Sequence, residues 1–235
     1  MLASGDSGWI RNTLLQKLKQ DVGSGGWQAC HLALTRQLLA SFSGLGFHEK
    51  HNCGYVLAVI AGLEAIPVAM RREVLQSLLT SKHVSIRRHL YRELQETDMS
   101  DFARELETAW LTYSDKGCAR LFVKSAPQEF LDRQFDSLWK LQDERTTIAL
   151  FMGARLTSER LSRLRRADGI SYAYICAKRG IRLSYDEAYD LWEQYALDKK
   201  AGLLLWCFGQ MKLRNLLLSL PLDQPRHHVD AAIDR

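Results

Sequence analysis

The sequence is poor in residues that favour β-sheet and in residues that interrupt helices. It contains four prolines, and its 38 leucines outnumber the 17 valines and isoleucines taken together. Leucine favours helices, whereas β-branched side chains favour strands. The 235 residues are 46% hydrophobic and 25% charged, which excludes a disordered or collagen-like chain. We therefore predict an all-α globular protein.

The sequence also lacks the signals of a secreted or membrane protein. Its most hydrophobic run, residues 203–208, is far shorter than the roughly 18–20 residues that span a bilayer. The first residues have no basic segment followed by an apolar one, as a secretory signal would have. The five cysteines are odd in number and widely spaced, as is typical of free thiols in a reducing compartment: Cys30, Cys53, Cys118, Cys176 and Cys207. We expect a cytoplasmic protein without a membrane-spanning segment.

Common catalytic and cofactor-binding motifs are missing as well. The sequence has no glycine-rich phosphate-binding loop, no dinucleotide-binding glycine fingerprint, no His-Glu-x-x-His pair and no Gly-x-Ser-x-Gly turn. Their absence lowers the expectation of nucleotide, zinc-protease and hydrolase chemistry. We predict no cofactor and favour a role without catalysis.

The net charge of +5 is distributed in bands along the chain. Residues 71–92 contain six basic residues and one acidic residue, and residues 155–182 contain eight basic and two acidic residues. Between them, residues 93–144 contain twelve acidic and six basic residues. Such bands can pair with one another or attract a partner of opposite charge.

A recurring block indicates that the chain is built from helical repeats. Four segments, spaced by 28, 25 and 30 residues, open with an aspartate followed by small and apolar residues: Asp115, Asp143, Asp168 and Asp198. Aspartate is a favoured N-cap because its carboxylate accepts hydrogen bonds from the free amides of the first helical turn. Each block therefore predicts a helix start, and each is followed by a second amphipathic stretch. One of these, 184–196, opens with Ser184 and Glu187 in the spacing of a capping box.

Helix pairs with a period of roughly 25–35 residues typically stack into an α-solenoid. The segment 84–94, with Ile86, Leu90 and Leu94 on one side, resembles the first-helix pattern of HEAT repeats, and the paired helices that follow resemble a HEAT or armadillo-like solenoid. The resemblance implies a right-handed α-solenoid of short antiparallel helix pairs. We assign it to residues 49–222, between an N-terminal helical cap at 1–48 and a flexible C-terminal tail at 223–235. A compact multi-helix bundle is the alternative architecture.

Two arginine clusters are candidate binding sites for an acidic partner or a phosphate group. They lie on two predicted helices: Arg87, Arg88 and Arg92, and Arg160, Arg163 and Arg166. Guanidinium groups can hold carboxylates and phosphates through two parallel hydrogen bonds. The alternative is a solvated face that pairs with the acidic band. Because the second helices of a solenoid usually line its concave face, the second cluster is the stronger candidate.

The N-terminal region contains a candidate metal-binding set. Thiolate and imidazole groups are good zinc ligands, and this region holds five of them: Cys30, His31, His48, His51 and Cys53. The set lacks a Cys-x-x-Cys pair. The alternative is a core thiol beside histidines in a solvated turn, and we predict no metal site.

The expected function is that of a protein-binding adaptor that uses the concave face of a charged solenoid. The first alternative is a nucleic-acid binder or a DNA-repair glycosylase, because the chain is similar to HEAT-like alkylpurine glycosylases in size, basic charge and helical repeats. In those enzymes aromatic residues and an acidic residue line a basic cleft, but no motif here identifies their equivalents. The second alternative is a small zinc protein. Trp110, Trp139 and Trp192 recur near the ends of the predicted second helices. This recurrence favours a role in core packing over a role in a binding cleft.

Overall fold

The computed structural model describes residues 7–220 and confirms an all-α protein. Within those residues, the backbone forms fifteen α-helices, one 3-10 turn and no β-strand. The predicted tail at 223–235 lies outside the described residues. The first nine helices are α1 (Ser7–Gly25), α2 (Ala29–Phe42), α3 (Phe47–Gly62), α4 (Val68–Leu79), α5 (Val84–Glu93), α6 (Ala103–Tyr113), α7 (Lys116–Ser125), α8 (Gln128–Arg133) and α9 (Phe135–Trp139). The others are α10 (Glu144–Gly153), α11 (Ser158–Ala167), α12 (Gly169–Lys178), α13 (Tyr185–Tyr195), α14 (Ala201–Gln210) and α15 (Arg214–Ser219).

Side-chain caps explain where several of these helices begin. Asp168 precedes α12, and its Oδ1 accepts hydrogen bonds from the amides of Ile170 and Ser171 at 3.1 and 3.0 Å. Ser184 and Glu187 form the predicted capping box at α13, in which the Glu187 amide donates to Ser184 Oγ at 3.1 Å. These caps satisfy amides that have no partner within the helix. The predicted helix starts at both positions are confirmed.

Two other predicted helix starts differ from the structure in detail. Asp115 precedes α7, but its carboxylate makes no cap hydrogen bond and instead accepts from Arg87 and Tyr91. Asp198 accepts from the Lys200 amide at 2.7 Å in a turn, and α14 begins only at Ala201. An aspartate can cap a turn as well as a helix, and here the N-cap is Lys200, two residues after the expected Asp198.

The chain divides into two compact units, and the division falls between Thr146 and Thr147 within α10. Unit 1 comprises the chain up to Thr146, and unit 2 starts at Thr147. The predicted boundary between residues 48 and 49 lies near the start of α3, within unit 1. Chain segments on both sides of that boundary share one hydrophobic cluster, in which Leu15, Leu18 and Val22 of α1 pack with Val59 and Ile60 of α3.

In unit 1, helices contact both their immediate neighbour and the helix after it. Helix α3 packs against α4 and α5, α5 packs against α7, and α4 packs against α6. The core between them is apolar and closed, since Leu57, Leu75 and Leu90 have no exposed surface. Burying a leucine side chain contributes about 1.5–3 kcal/mol to stability, so these contacts fix the helices that carry the charged groups of unit 1.

In unit 2, α12 lies at the centre of the helix packing. It contacts α11, α13 and α14, and α14 in turn contacts α13 and α15. Ile175, Leu204 and Phe208 of α12 and α14 are fully buried. Gly169 permits a close approach, because a Cβ there would lie 2.6 Å from Tyr195 Cε2 and 2.8 Å from Leu191 Cδ2. This packing positions the loops that precede α13 and α15.

Length and apolar character decide whether a helix can cross a bilayer. The longest, α1, has 19 residues, and a spanning helix needs roughly 20 mostly apolar residues. Among the described residues, no helix combines the length and apolar character required to cross a membrane.

Candidate functional site

Arg87, a predicted binding residue, is buried in unit 1 and already paired. Its side chain is 3% exposed, and Nε donates to Asp115 Oδ2 at 2.6 Å while Nη1 donates to the Ser81 carbonyl at 2.6 Å. The guanidinium also lies 3.7 Å above the centre of the Tyr113 ring. Arg87 therefore joins α5 to the start of α7, and an external anion could reach it only by displacing Asp115.

Arg88 and Arg92 have the opposite environment on the same helix. Both are exposed, and neither makes an ion pair or a side-chain hydrogen bond with any described residue. They lie one turn apart on α5, as the sequence predicts. The first predicted cluster thus presents two of its three arginines to solvent.

The second predicted cluster lies on α11 in unit 2. Arg166 is exposed, and its Nε donates to the Ser162 carbonyl of the same helix at 3.3 Å. Arg160 and Arg163 are half-buried, and Arg160 Nη1 donates to the Arg155 carbonyl at 2.8 Å. The structure therefore brings these arginines onto one helix, with Arg166 the most exposed of them.

Arg165, which the predicted cluster omits, joins α11 to α13. Its guanidinium lies 3.2 Å from Glu187 Oε1 and 3.5 Å from Asp190 Oδ2. Arginine can engage two carboxylates because its five donors are spread around a planar group. Arg165 of α11 is thus paired within unit 2, with two carboxylates of α13.

Pairing between charge bands is extensive in unit 1. Arg72 of the first basic band lies 2.8 Å from Glu105 of the acidic band, in addition to the Arg87 and Asp115 pair. Within the acidic band, Arg120 makes two hydrogen bonds to Asp143, at 2.6 and 3.1 Å. The hydrogen bond from Arg120 holds the pKa of Asp143 well below its usual range. The alternative interpretation of the charge bands, mutual pairing, therefore describes these arginines.

A cleft in unit 2 is lined by cations that are not paired with a carboxylate of the described residues. It has a volume of about 360 Å³ and lies between the loop before α13 and the loop before α15. Its lining includes Arg182, Lys212 and Arg214, and no aspartate or glutamate is among its lining residues in the described chain. These three side chains are exposed and make no ion pair or hydrogen bond with a described residue. The remaining lining residues are Leu183, Ser184, Tyr185, Leu213, Asn215 and Leu216.

Two loops of the same conformation present these cations. After α12, Gly180 has a φ of 69°, and after α14, Lys212 has a φ of 57°. In each loop the next residue donates its amide to the carbonyl five residues earlier, at 2.9 and 3.0 Å respectively, which is the 6→1 hydrogen bond of a Schellman motif. Arg182 and Arg214 therefore occupy equivalent positions, two residues beyond the left-handed residue.

A second cleft, in unit 1, has a mixed charge. It has a volume of about 520 Å³ and is lined by Arg72 and Glu105, which pair with each other, and by Asp101, Arg104 and Phe130 among others. The Arg72 Nη2 also donates to the Asp101 carbonyl at 2.9 Å. Because carboxylates and guanidinium groups alternate around this cleft, it has no strong preference for an anion or a cation.

The candidate metal ligands of the N-terminal region differ in burial and in hydrogen bonding. Cys30 and His48 are exposed, whereas Cys53 is buried and donates to the Leu38 carbonyl at 3.6 Å. His31 is buried, and its Nδ1 accepts from the Gln28 amide at 3.0 Å. In the described part of the chain, no group of three or more histidine, cysteine, aspartate or glutamate side chains could hold a metal ion.

The cysteines differ strongly in accessibility. Cys30 is exposed, whereas the others are buried. Burial raises the pKa of Cys53 and Cys176 to about 11 and that of Cys118 and Cys207 to about 12. The thiolate is the reactive form of cysteine, so the four buried thiols are protonated at neutral pH.

We expect alkylation with iodoacetamide to modify Cys30 much faster than the other thiols of the native protein. The reason is that Cys30 is exposed while the others are buried, and reaction requires an accessible thiolate. Mass spectrometry of a time course measures the order of modification. The Cys30→Ser variant is the control and should show almost no early alkylation; rapid labelling of that variant would contradict the burial of the remaining thiols.

The tryptophans at recurring positions are used in packing. Trp110 is 3% exposed and its Nε1 donates to Ser137 Oγ at 3.2 Å, and Trp192 is 7% exposed. Trp139 is half-buried. Core packing is confirmed for Trp110 on α6 and Trp192 on α13.

The chemistry of the unit 2 cleft is that of anion binding. Two guanidinium groups and one ammonium group line it, and such groups bind carboxylates and phosphates by charge-assisted hydrogen bonds. No protein-family profile, curated protein or solved structure matches this chain. A function is therefore inferred from the site itself.

The three cleft cations were not among the predicted binding residues. Each arginine lies in a short triplet just beyond a helix, Gly180-Ile-Arg182 and Lys212-Leu-Arg214, and the two triplets are separated by 32 residues. A search for repeated loops as well as repeated helix starts could have detected them. That the two loops line one cleft depends on the packing of α12 against α14, which no local pattern contains.

Proposed function

We propose that the chain is a non-enzymatic interaction module that binds an acidic segment of a protein partner on the basic surface of unit 2. We define this surface as Arg163 and Arg166 on α11 together with the cleft cations Arg182, Lys212 and Arg214. The main observation in support of this proposal is that the excess positive charge lies in unit 2. Residues 147–220 contain 12 basic and seven acidic residues, so their net charge of +5 equals that of the whole chain. A surface with excess positive charge attracts acidic partners and accelerates their association.

We further propose that the helix pairs stack as right-handed HEAT-like repeats, with their second helices on a concave binding face. Support comes from the contacts of α3 with α5 and of α5 with α7, and from the repeated loops after α12 and α14. Repeat scaffolds of this kind are mostly binding modules, which is a fold-level analogy. In this arrangement, α11, α13 and α15 are second helices.

The pairing of the cleft cations differs from that of several unit 1 arginines, and this difference favours the cleft as part of the docking surface. In unit 1, arginines that face acidic residues are neutralised, as in the pairs Arg87–Asp115 and Arg133–Glu107, with distances of 2.6 and 2.7 Å. In unit 2 the cleft cations lack carboxylate partners among the described residues. Like charges close together destabilise a folded protein unless something compensates them, and an anionic ligand would supply that compensation.

Nucleic-acid binding is the second candidate function, and one observation favours it. Tyr185 lines the cleft, is 46% exposed and stacks on Tyr189 with ring centres 6.2 Å apart. Exposed aromatic rings beside cations are typical of surfaces that bind single-stranded nucleic acids. Binding of this kind weakens steeply with salt, so it can be distinguished experimentally from docking of a peptide.

Reversing charge on α11 should weaken binding to an acidic peptide. We expect the Arg163→Glu/Arg166→Glu variant to bind a fluorescently labelled, glutamate-rich peptide at least about tenfold more weakly than the unaltered chain, because attraction becomes repulsion. Fluorescence anisotropy at low and physiological salt measures the affinity, and circular dichroism tests that the helices are retained. Labelled single-stranded RNA and duplex DNA are titrated in parallel.

The Arg88→Glu/Arg92→Glu variant is a matched control in unit 1. It reverses the same number of charges on two exposed arginines of one helix, which lie on α5. We expect it to change peptide affinity by less than about twofold, since long-range effects between exposed charges are screened. Equal losses in the two variants would contradict docking on unit 2. Tighter binding of RNA or DNA than of the peptide at physiological salt would replace the proposed function by the second candidate.

A further inference from the structure

The unit 2 cleft contains more cationic charge than docking of one carboxylate requires. Arg182, Lys212 and Arg214 contribute three positive charges to a space of about 360 Å³. A carboxylate carries one negative charge, whereas a phosphomonoester carries about −1.5 to −2 at neutral pH and has three strong acceptor oxygens. The charge and donor content of the cleft therefore match a phosphomonoester better than a carboxylate.

The rest of the lining fits a phosphate that is attached to an organic group. Leu183, Leu213 and Leu216 form buried apolar walls beneath the cations, and Asn215 and Ser184 are exposed polar groups. The cations themselves are exposed, whereas sites for free small molecules usually bury 70–90% of the ligand surface. An exposed cationic cleft with apolar walls suits a phosphate carried on a larger body that remains outside the cleft.

The charge beside the cleft argues against a polyphosphate backbone. Asp186, Asp190 and Glu193 are exposed on α13, the helix that begins at the cleft. A nucleic-acid strand that follows this helix would bring successive phosphates close to these carboxylates, and like charges repel. A single phosphate group can enter the cleft without that cost.

We propose that the unit 2 cleft binds a phosphorylated side chain of a protein partner, with Arg182, Lys212 and Arg214 as the phosphate-binding residues. This inference rests on the proposed function, because the partner's acidic segment carries the phosphate. Arg182 and Arg214 bind the phosphate oxygens from the equivalent positions of two loops, and Lys212 provides the third cation. Tyr185 and Asn215, the exposed neutral lining residues beside these cations, contact the residues that flank the phosphorylated side chain.

The conformation of Lys212 permits a variant that separates binding from folding. Lys212 has a φ of 57°, and the equivalent residue of the other loop is Gly180. Glycine adopts this conformation without the steric penalty that a Cβ creates. The Lys212→Gly substitution therefore removes a cleft cation without disfavouring the native backbone. The matched control is Gln142→Gly in unit 1, where φ is 50° and the residue is remote in sequence from the cleft.

The test compares one peptide in three forms: with a phosphoserine, with a glutamate and with an unmodified serine at the same position. Affinity is measured by isothermal titration calorimetry with the full chain at low salt. We expect the phosphoserine form to bind at least about tenfold more tightly than the glutamate form, and more tightly at about pH 7.5 than at about pH 5.5, because the second phosphate pKa is about 6. Inorganic phosphate should compete at higher concentration.

We expect Lys212→Gly to weaken binding of the phosphoserine peptide at least about tenfold, with a melting temperature that is unchanged or higher. Gln142→Gly should leave the affinity unchanged. Equal binding of the phosphoserine and serine peptides, or full affinity in Lys212→Gly, would overturn the phosphate site. If the glutamate-rich peptide used to test the proposed function still bound in that case, only the phosphate site would be wrong. If neither that peptide nor the phosphoserine peptide bound, the phosphate site and the proposed function would both be wrong. Single-stranded RNA that displaced the phosphopeptide at lower concentration would overturn the side-chain source of the phosphate.

Discussion

Replacing Arg87 with methionine should lower the free energy of unfolding by about 3–5 kcal/mol. The Arg87 side chain is 3% exposed, and its Nε lies 2.6 Å from Asp115 Oδ2. Methionine has a similar length but no charge, so Asp115 would keep only the hydrogen bond from Tyr91, whose hydroxyl lies 3.1 Å away. Burial raises the pKa of Tyr91, which keeps this hydroxyl protonated as a donor. A half-buried carboxylate, 19% exposed in the case of Asp115, is destabilising when it is left with one neutral partner.

A second arginine provides a matched comparison for this prediction. Arg120 on α7 pairs with Asp143 as Arg87 on α5 pairs with Asp115, but the Arg120 side chain is 44% exposed. Asp143 is only 11% exposed, but without Arg120 it keeps hydrogen bonds from the amide and the hydroxyl of Thr146, so Arg120→Met should cost less than Arg87→Met. Urea unfolding followed by circular dichroism measures both losses. If Arg87→Met cost no more than Arg120→Met, the buried pair would have no special role in unit 1.

Restoring charge balance should recover part of the loss. In the double variant Arg87→Met/Asp115→Asn, no uncompensated charge remains beside Tyr91. We expect this variant to be more stable than Arg87→Met, because replacing both partners of a buried pair is far less costly than removing one. The coupling between the two positions is obtained from the double-mutant cycle.

The pair of Arg87 and Asp115 also illustrates what local sequence patterns can predict. Asp115 precedes α7 as its pattern indicates, and Asp168 and Ser184 cap their helices by side-chain hydrogen bonds. The hydrogen bonds of these caps connect residues two or three positions apart, so a local sequence pattern includes both partners. The all-α class and the helix starts at Asp168 and Ser184 were therefore predictable from the residues alone.

Partners that are distant in sequence were less predictable. Arg87 has the same local appearance as Arg88, yet the first is buried against Asp115, 28 residues away, and the second is exposed. Their difference depends on which side of α5 faces α7. Because helix positions separated by one residue point in directions about 100° apart, a shift of one residue in the assumed face exchanges a buried ion pair for a solvent-exposed cation.

The cleft cations were unpredictable for a related reason. Arg182 and Arg214 are each unremarkable in sequence, since a basic residue in a loop is usually solvated. They form a common site only because α12 and α14 pack together and the loops after them have the same conformation. The sequence instead indicated arginines that are spaced along single predicted helices, on α5 and α11.

The stability of unit 1 should also fall in mild acid because of His89. This side chain is 5% exposed and stacks on Tyr55 with ring centres 3.4 Å apart. Neither of its ring nitrogens has a hydrogen-bond partner in the described part of the chain. Burial, together with nearby Arg92 and Arg11, lowers the pKa of His89 from 6.5 to about 4. The imidazole is therefore neutral in the folded protein at neutral pH.

The sign of the effect follows from proton linkage. Since the pKa of His89 is lower in the folded state, the unfolded chain binds the proton more readily. The contribution of neutral His89 to the free energy of unfolding is complete above about pH 6.5. It is lost progressively as the pH falls from 6.5 towards 4. A difference of about 2.5 pKa units corresponds to at most about 3 kcal/mol. Glu93 Oε1 lies 3.6 Å from His89 Nε2, but Glu93 also faces Lys19 at 3.7 Å, which limits its support for the protonated ring.

Replacing His89 with phenylalanine should remove this acid sensitivity. Phenylalanine retains a ring that can stack on Tyr55 and removes two buried nitrogens without partners. Urea unfolding at about pH 7 and pH 4.5 should show a loss for the unaltered chain that exceeds the loss for His89→Phe by about 2–3 kcal/mol. His48→Phe, which replaces an exposed histidine, is the control and should retain the acid sensitivity. Equal pH dependence in the unaltered chain and His89→Phe would mean that His89 is protonated as easily in the folded protein as in the unfolded chain.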